Sequence, residues 1–154
     1  MDNRKANIIL GLFAALMAVV SVFTLFATAF GNSDAAGHAS TLGNVYDVMF
    51  GSQSLNAVPM MIAAFILQLV AILFALFGAL LPGKVGAFGL ALAAILLVLA
   101  GIFYLASPNF FLSVNPTDAH AEQVVLGAGT IISPIFCFLG GLLGIYGGYR
   151  SFKA

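Results

Sequence analysis

Residues 57–106 read AVPMMIAAFILQLVAILFALFGALLPGKVGAFGLALAAILLVLAGIFYLA and carry one formal charge, Lys84. Two apolar runs, Ala57–Leu81 and Val85–Ala106, are separated only by Pro82-Gly83-Lys84. Each run is long enough to cross the ~30 Å hydrocarbon core of a bilayer, which takes about 20 helical residues. So short a connection makes the two helices antiparallel. The stretch therefore predicts a transmembrane hairpin and an integral membrane protein.

The composition of the whole chain agrees with this class. Of 154 residues, 62% are hydrophobic and 6% are charged, whereas a soluble domain carries about 25% charged residues. The length predicts a single domain, residues 1–154. The net charge of zero offers no basic patch for nucleic acid. Because Trp is absent, an interfacial belt must consist of the Tyr and Phe residues.

Two further apolar runs complete the set, at residues 8–30 and 124–149. The first follows a basic start and ends near Ala27-Thr28-Ala29, as a cleaved signal peptide would. It is longer than the apolar core of a signal, about 7–15 residues, so we expect a retained helix. The fold class is then an all-α, up-down-up-down membrane bundle with helices at 8–30, 57–81, 85–106 and 124–149. Loops 31–56 and 107–123 lie at one end.

Charge predicts the orientation. Every Lys and Arg lies in a terminal tail or in the short turn: Arg4, Lys5, Lys84, Arg150 and Lys153. The two loops contain no Lys or Arg. Their charged and histidine residues are Asp34, His38, Asp47, Asp118, His120 and Glu122. Because cytoplasmic segments are enriched in Lys and Arg, we expect a cell-membrane protein with both termini in the cytoplasm. The loops 31–56 and 107–123 are then outer loops.

The first outer loop contains a segment of different character, residues 44–51. Tyr46, Met49 and Phe50 follow the i, i+3, i+4 spacing of one helical face. The segment could lie on the membrane surface, but we expect it to fold back over the end of the bundle. Asn56 resembles the cap of the next helix, with Pro59 in the first turn.

The segment Tyr46-Asp-Val-Met-Phe-Gly51 after the first span resembles small uncharacterised four-span membrane proteins of Gram-positive bacteria. The arrangement of loops is similar to that of claudin-like proteins. The chain lacks their Trp and their two loop cysteines, since Cys137 lies within an apolar run. The resemblance implies the four-span layout and no known activity, so it assigns no functional residue.

The fourth predicted helix carries Gly140, Gly144 and Gly148 at a spacing of four, which leaves one stripe without side chains. Such stripes allow helices to approach closely in membranes. The stripe could pack within the chain, which we expect, or contact another protein chain. Pro134 within the same helix predicts a static kink, with a moving hinge as the alternative.

Gln68 and Ser133 are polar residues deep within the predicted helices. A buried amide at this depth faces the bundle and finds a partner, here Ser21, Thr24, Thr130, Ser133 or a freed carbonyl. The alternative is a substrate or ion pathway. No Asp, Glu, Lys, Arg or His lies in any of the four apolar runs, which argues against a proton-coupled transporter built from one chain.

The second outer loop holds the ionisable residues Asp118, His120 and Glu122. We expect Thr117 or Asp118 to cap the last helix, with the carboxylates favoured by its dipole. The alternatives are a metal site completed by His38 or Asp34, a contact with a partner, and sensing of acid pH by histidine. We predict no metal and no cofactor. Together with Tyr46, Asp47 and Phe50, these residues form the candidate contact set of the outer loops.

The sequence contains no nucleophile and base at a recognisable spacing, no phosphate-binding loop and no paired carboxylates within the membrane. We therefore predict a non-enzymatic accessory or scaffold subunit. It would bind another membrane protein through the glycine-rich helix or the acidic outer loops. The alternatives are an oligomeric pore or transport component and an outward-facing sensor or receptor. The expected partners are the lipid bilayer and a membrane protein or a second copy, not nucleic acid.

Overall fold

The computed structural model describes residues 3–27, 30–33, 39–41, 44–51, 56–81, 83–107, 109–110, 123–126 and 128–153. The helices in these residues are α1 (Asn3–Phe23), α2 (Val45–Phe50), α3 (Pro59–Leu80), α4 (Gly83–Leu105) and α5 (Ala128–Lys153). All but α2 are long and apolar enough to cross a membrane. The predicted four-helix architecture is therefore confirmed, and it fits a multi-pass membrane protein.

The four long helices form a square bundle. Helix α5 packs against α1 and α4, and α3 packs against the same two helices. Helices α3 and α5 therefore lie diagonally across the bundle. The turn between α3 and α4 depends on Gly83, the first residue of α4. Its φ of +65° is a backbone conformation that residues with a side chain rarely adopt.

The interior of the bundle consists of small residues, and its outer surface consists of large ones. Alanine is the commonest buried apolar residue, as at Ala18, Ala71 and Ala93. Large apolar side chains such as Leu73 and Phe88 are more than half exposed. In lipid, close backbone packing rather than burial of large side chains drives helix association. The pattern is thus the one expected for a bundle surrounded by acyl chains.

Two predicted helix ends are wrong because the loops contain β-structure. A 3₁₀ turn, Thr24–Phe26, follows α1, and Phe30 belongs to strand β1 (Phe30–Ser33) rather than to the first helix. The last helix begins at Ala128 rather than at Val124, because Gln123–Leu126 forms strand β3. The spans themselves are all-helical, as predicted.

A three-stranded antiparallel sheet connects the two loops. Its order is β2-β1-β3, where β2 is Ala39–Thr41. Strand β1 pairs with β2 through Gly31 and Thr41, and with β3 through Phe30 and Leu126. The first loop is thus hydrogen-bonded to the segment that leads directly into α5. The sequence analysis did not predict this sheet.

The segment after Asn44 forms the predicted short helix, α2, and folds over the end of the bundle. The Asn44 side chain caps it by accepting a hydrogen bond of 2.8 Å from the Asp47 N–H. The buried face consists of Val45, Val48 and Met49, all with no exposed surface, rather than of the predicted set with Phe50. Both expectations about the helix and its position are confirmed, whereas its buried face is corrected.

The predicted cap of α3 is also corrected. Val58, not Asn56, is the N-cap residue, and it contributes no side-chain hydrogen bond. Pro59 occupies the first turn, where its missing N–H needs no partner. The Val58 N–H donates to the Met49 carbonyl at 2.9 Å, so this end of α3 is fixed by α2. The predicted cap of the last helix at Thr117 or Asp118 is wrong, because that helix begins at Ala128 and strand β3 precedes it.

Candidate functional site

One polar side chain from each long helix meets in the interior of the bundle, towards the end that carries α2. Ser21 comes from α1, Gln68 from α3, Tyr104 from α4 and Ser133 from α5. All four are fully buried. Cys137 lies one turn beyond Ser133 on α5 and is buried beside them. We call these five residues the polar cluster.

Gln68 is the centre of the polar cluster. Its Nε2 donates to Ser21 Oγ at 2.9 Å and lies 3.3 Å from Ser133 Oγ and 3.4 Å from Cys137 Sγ. Its Oε1 accepts a hydrogen bond of 2.6 Å from the Tyr104 hydroxyl. An amide has two N–H donors, so the three acceptors around Nε2 share them. A single side chain thereby links all four long helices.

The hydroxyl groups of the cluster are oriented by the backbone. Ser21 Oγ donates to the Ala18 carbonyl at 2.6 Å, and Ser133 Oγ donates to the Ser21 carbonyl at 2.9 Å. Each serine proton is therefore engaged, and the oxygen lone pairs face the Gln68 amide. The Tyr104 hydroxyl supplies the donor that Oε1 requires. The cluster is self-consistent, since the donors and acceptors on its side chains match one another.

Two members of the cluster were predicted as partners of Gln68, and two were missed. Ser21 and Ser133 were among the expected partners. Thr24 instead donates to the Ser21 carbonyl at 2.7 Å. Tyr104 and Cys137 were missed, because a tyrosine near the end of an apolar run is typical of the membrane interface. The available signal was that a tyrosine hydroxyl, if buried, needs a partner.

The glycine stripe of α5 faces α1 and α4 of the same chain. A Cβ atom built on Gly144 would lie 3.1 Å from the Leu90 carbonyl oxygen. The corresponding atom on Gly148 would lie 3.1 Å from the Ala87 oxygen, and that on Gly140 would lie 3.2 Å from the Ala14 oxygen. Backbone cannot move aside easily, so these positions have almost no room for a side chain. The stripe is occupied by intrachain packing.

Pro134 lies at the level of the polar cluster. Helix α5 continues through it from Ala128 to Lys153, although proline lacks the N–H that would bond to Thr130. The neighbouring Ser133 hydroxyl bonds across to α1. A static kink and a moving hinge at this position both stay predictions.

The outer-loop candidates have different environments. The Tyr46 hydroxyl donates to the Val22 carbonyl at 2.8 Å, and its ring packs against Phe26 and Phe65 with centroids 4.8 and 5.5 Å away. Partial burial raises the pKa of Tyr46 above its ordinary value. Asp47 is exposed, and Phe50 exposes 53% of its surface. Tyr46 therefore packs α2 against the bundle and Asp47 faces outward, while the half-exposed Phe50 ring also packs edge-on against Phe65, with centroids 6.0 Å apart.

The other outer-loop candidates, Asp118, His120 and Glu122, lie outside the described residues, as do Asp34 and His38. Within the described part of the chain, no group of three His, Cys, Asp or Glu residues could hold a metal ion. The expected capping of the last helix is excluded because that helix begins at Ala128, whereas a metal site, pH sensing and a partner contact stay predictions.

The hydrogen bonds of the polar cluster are suited to holding the four long helices together. Its side chains carry no formal charge, and each hydrogen bond between membrane helices contributes about 0.6 kcal/mol on average.

No model of a known protein family matches the chain, and no curated protein matches it. The likeness to four-span bacterial proteins through residues 46–51 stays a prediction.

Proposed function

We propose that this protein is a non-enzymatic multi-pass protein of the cell membrane that serves as an accessory or scaffold subunit for another membrane protein. The observation that carries this proposal is the polar cluster. The amide nitrogen and oxygen of Gln68 form hydrogen bonds with side chains of the other three long helices. A catalytic or conducting site needs polar groups directed at a substrate or ion, whereas these groups are directed at one another.

Contacts between the helices support an up-down-up-down threading. A Cβ on Gly11, early in α1, would meet Ala79, late in α3. A Cβ on Gly101, late in α4, would meet Phe138, in the first half of α5. Neighbouring helices thus run in opposite directions. The one-sided placement of Lys and Arg then favours an orientation with both termini in the cytoplasm.

We place the partner contact at the outer end of the bundle, on α2. The glycine stripe of α5 packs closely against α1 and α4 of its own chain, so it is not available for close helix packing with a second protein. Helix α2 is held on the bundle by its buried face and by the bond from Tyr46 to the Val22 carbonyl; it exposes Asp47 and about half of Phe50, whose inner edge packs against Phe65. An exposed aromatic residue on a rigid element is typical of an interface anchor. The neighbouring carboxylate favours a partner with a basic residue at the matching position.

Affinity purification from native membranes in mild detergent tests this function. We expect one different membrane protein to co-purify at a fixed ratio. Phe50→Ala should reduce its recovery about tenfold or more, as truncation of an interface anchor does. Phe77→Ala is the matched control, because Phe77 is a similarly exposed phenylalanine on α3, with 59% of its surface exposed.

Three results would contradict the proposal. Recovery of a homomeric ring alone would favour a pore formed by several copies. Equal effects of Phe50→Ala and Phe77→Ala would remove the partner contact from α2. A substrate turned over by the purified chain would contradict the non-enzymatic function.

A further inference from the structure

A groove runs along the outside of the bundle between α4 and α5. It encloses about 580 Å³. Its floor is formed by small residues, Ala87, Ala91 and Gly148, and Lys84 lies at one end. Ile95 and Ile145 line the other end, so the groove is basic at its mouth and apolar along its length.

Cations and aromatic rings meet at the mouth of the groove. Lys84 Nζ lies 5.6 Å from the centre of the Phe152 ring, and Lys153 Nζ lies 4.7 Å from the centre of the Tyr149 ring. Both rings line the groove. Tyrosine and lysine are residues that collect at the level of lipid head groups. Lys84 therefore lines this end of the groove, and Lys153 lies next to it through its contact with the Tyr149 ring.

The length of the groove corresponds to one leaflet. From Lys84 to Ile95 it follows α4 for about 16 Å at 1.5 Å per residue. Half of a ~30 Å hydrocarbon core is about 15 Å. A transmembrane helix of a partner would need a groove along the whole length of the bundle. An acyl chain entering from the cytoplasmic side needs only this half.

From this geometry we propose that the groove binds an anionic phospholipid of the cytoplasmic leaflet. One acyl chain lies on the floor of small residues, and the phosphate lies between Lys84 and Lys153. The inference rests on the orientation given under the proposed function, which places this end of the bundle at the cytoplasmic leaflet. Anionic lipids are enriched there, and basic residues near the surface attract them.

Native mass spectrometry of the detergent-purified chain tests the site. The probes are phosphatidylglycerol, phosphatidylcholine with the same acyl chains, and glycerol 3-phosphate. We expect one saturable phosphatidylglycerol adduct, about tenfold more occupied than the phosphatidylcholine adduct, because each of the two lysines contributes up to about fivefold. Glycerol 3-phosphate should neither bind nor compete, because it lacks the acyl chain.

Three variants separate the contributions of charge and shape. Lys84→Gln should lower phosphatidylglycerol occupancy about fivefold. Lys5→Gln removes an exposed charge from α1, outside the groove, and should change nothing. Ala91→Phe fills the exposed floor and should reduce binding of both phospholipids. Unchanged melting temperatures would show that the variants are folded.

Equal binding of both phospholipids, or equal effects of Lys84→Gln and Lys5→Gln, would overturn the charge recognition. Full binding by Ala91→Phe, or competition by glycerol 3-phosphate, would overturn the acyl-chain site. The assay contains no partner protein, so its failure leaves the accessory function untouched. Loss of partner recovery in Phe50→Ala would likewise leave the lipid adduct unaffected.

Discussion

The polar cluster makes a quantitative prediction about the bond between Tyr104 and Gln68. The hydroxyl of Tyr104 donates to Gln68 Oε1 at 2.6 Å, and both side chains are fully buried. Tyr104→Phe removes the donor and leaves one buried amide oxygen without it. Gln68→Leu removes the acceptor and also the donor that Ser21 and Ser133 share. Each loss exposes unmatched polar atoms to a low-dielectric interior, so both variants should be less stable.

The magnitude follows from membrane helices that exchange similar bonds. A single interhelical hydrogen bond contributes about 0.6 kcal/mol on average and about 1.7 kcal/mol at most. Because the bond in question is short, we expect Tyr104→Phe to cost about 1 kcal/mol. Gln68→Leu should cost about 2 kcal/mol, since it breaks bonds to three helices. The double variant should cost about 1 kcal/mol less than the sum, because the shared bond is lost only once.

The assay is reversible unfolding of the wild type and the three variants in one detergent, arranged as a double-mutant cycle. Tyr149→Phe is the matched control, because Tyr149 exposes 57% of its surface and should tolerate loss of the hydroxyl. A coupling energy indistinguishable from zero would mean that the Tyr104 hydroxyl does not bond to Gln68. The conclusion that the cluster joins all four long helices would then be refuted.

Two further predictions concern packing and threading. Gly144→Leu should lower stability by about 2–3 kcal/mol and the melting temperature by about 5–10 °C, because even a Cβ there lies 3.1 Å from the Leu90 oxygen. Leu142→Ala, at a position 64% exposed, should have little effect, and equal stability of the two variants would contradict intrachain packing of the stripe. A cysteine at Ser40 should react with an impermeant thiol reagent outside intact cells and one at Ser151 should not, because Lys and Arg mark the cytoplasmic side. The reverse pattern would invert the threading.

The four long helices could be predicted from the sequence, whereas the loop sheet could not. Long uncharged runs such as 57–81 have one interpretation, because few other structures satisfy their backbone in lipid. The strand Gln123–Leu126 continues an apolar run into α5, so its composition resembles helix. The partner strand Phe30–Ser33 contains glycine, asparagine and serine without alternation. Strand pairing across such a distance in sequence leaves no local pattern.

The site shows the same division between local and tertiary information. Gln68 was predicted because an amide deep in a membrane helix requires a partner, wherever that partner lies. Tyr104 was not, because its role depends on which way α4 is rotated in the bundle. The residue pattern of α4 offers little guidance on rotation, since apolar residues surround the helix on every side. Only packing against α3 and α5 turns the phenol inward.

The loop sheet gives the end of the bundle that carries α2 a mechanical property. Strand β1 follows shortly after the 3₁₀ turn that closes α1, and strand β3 ends at Leu126, immediately before α5. These two strands pair along their whole length, from Phe30 with Leu126 to Ser33 with Gln123. A pull on the first loop is therefore shared between α1 and α5 through a ladder of backbone bonds. Force applied at either loop would act on the first and last helices as one unit.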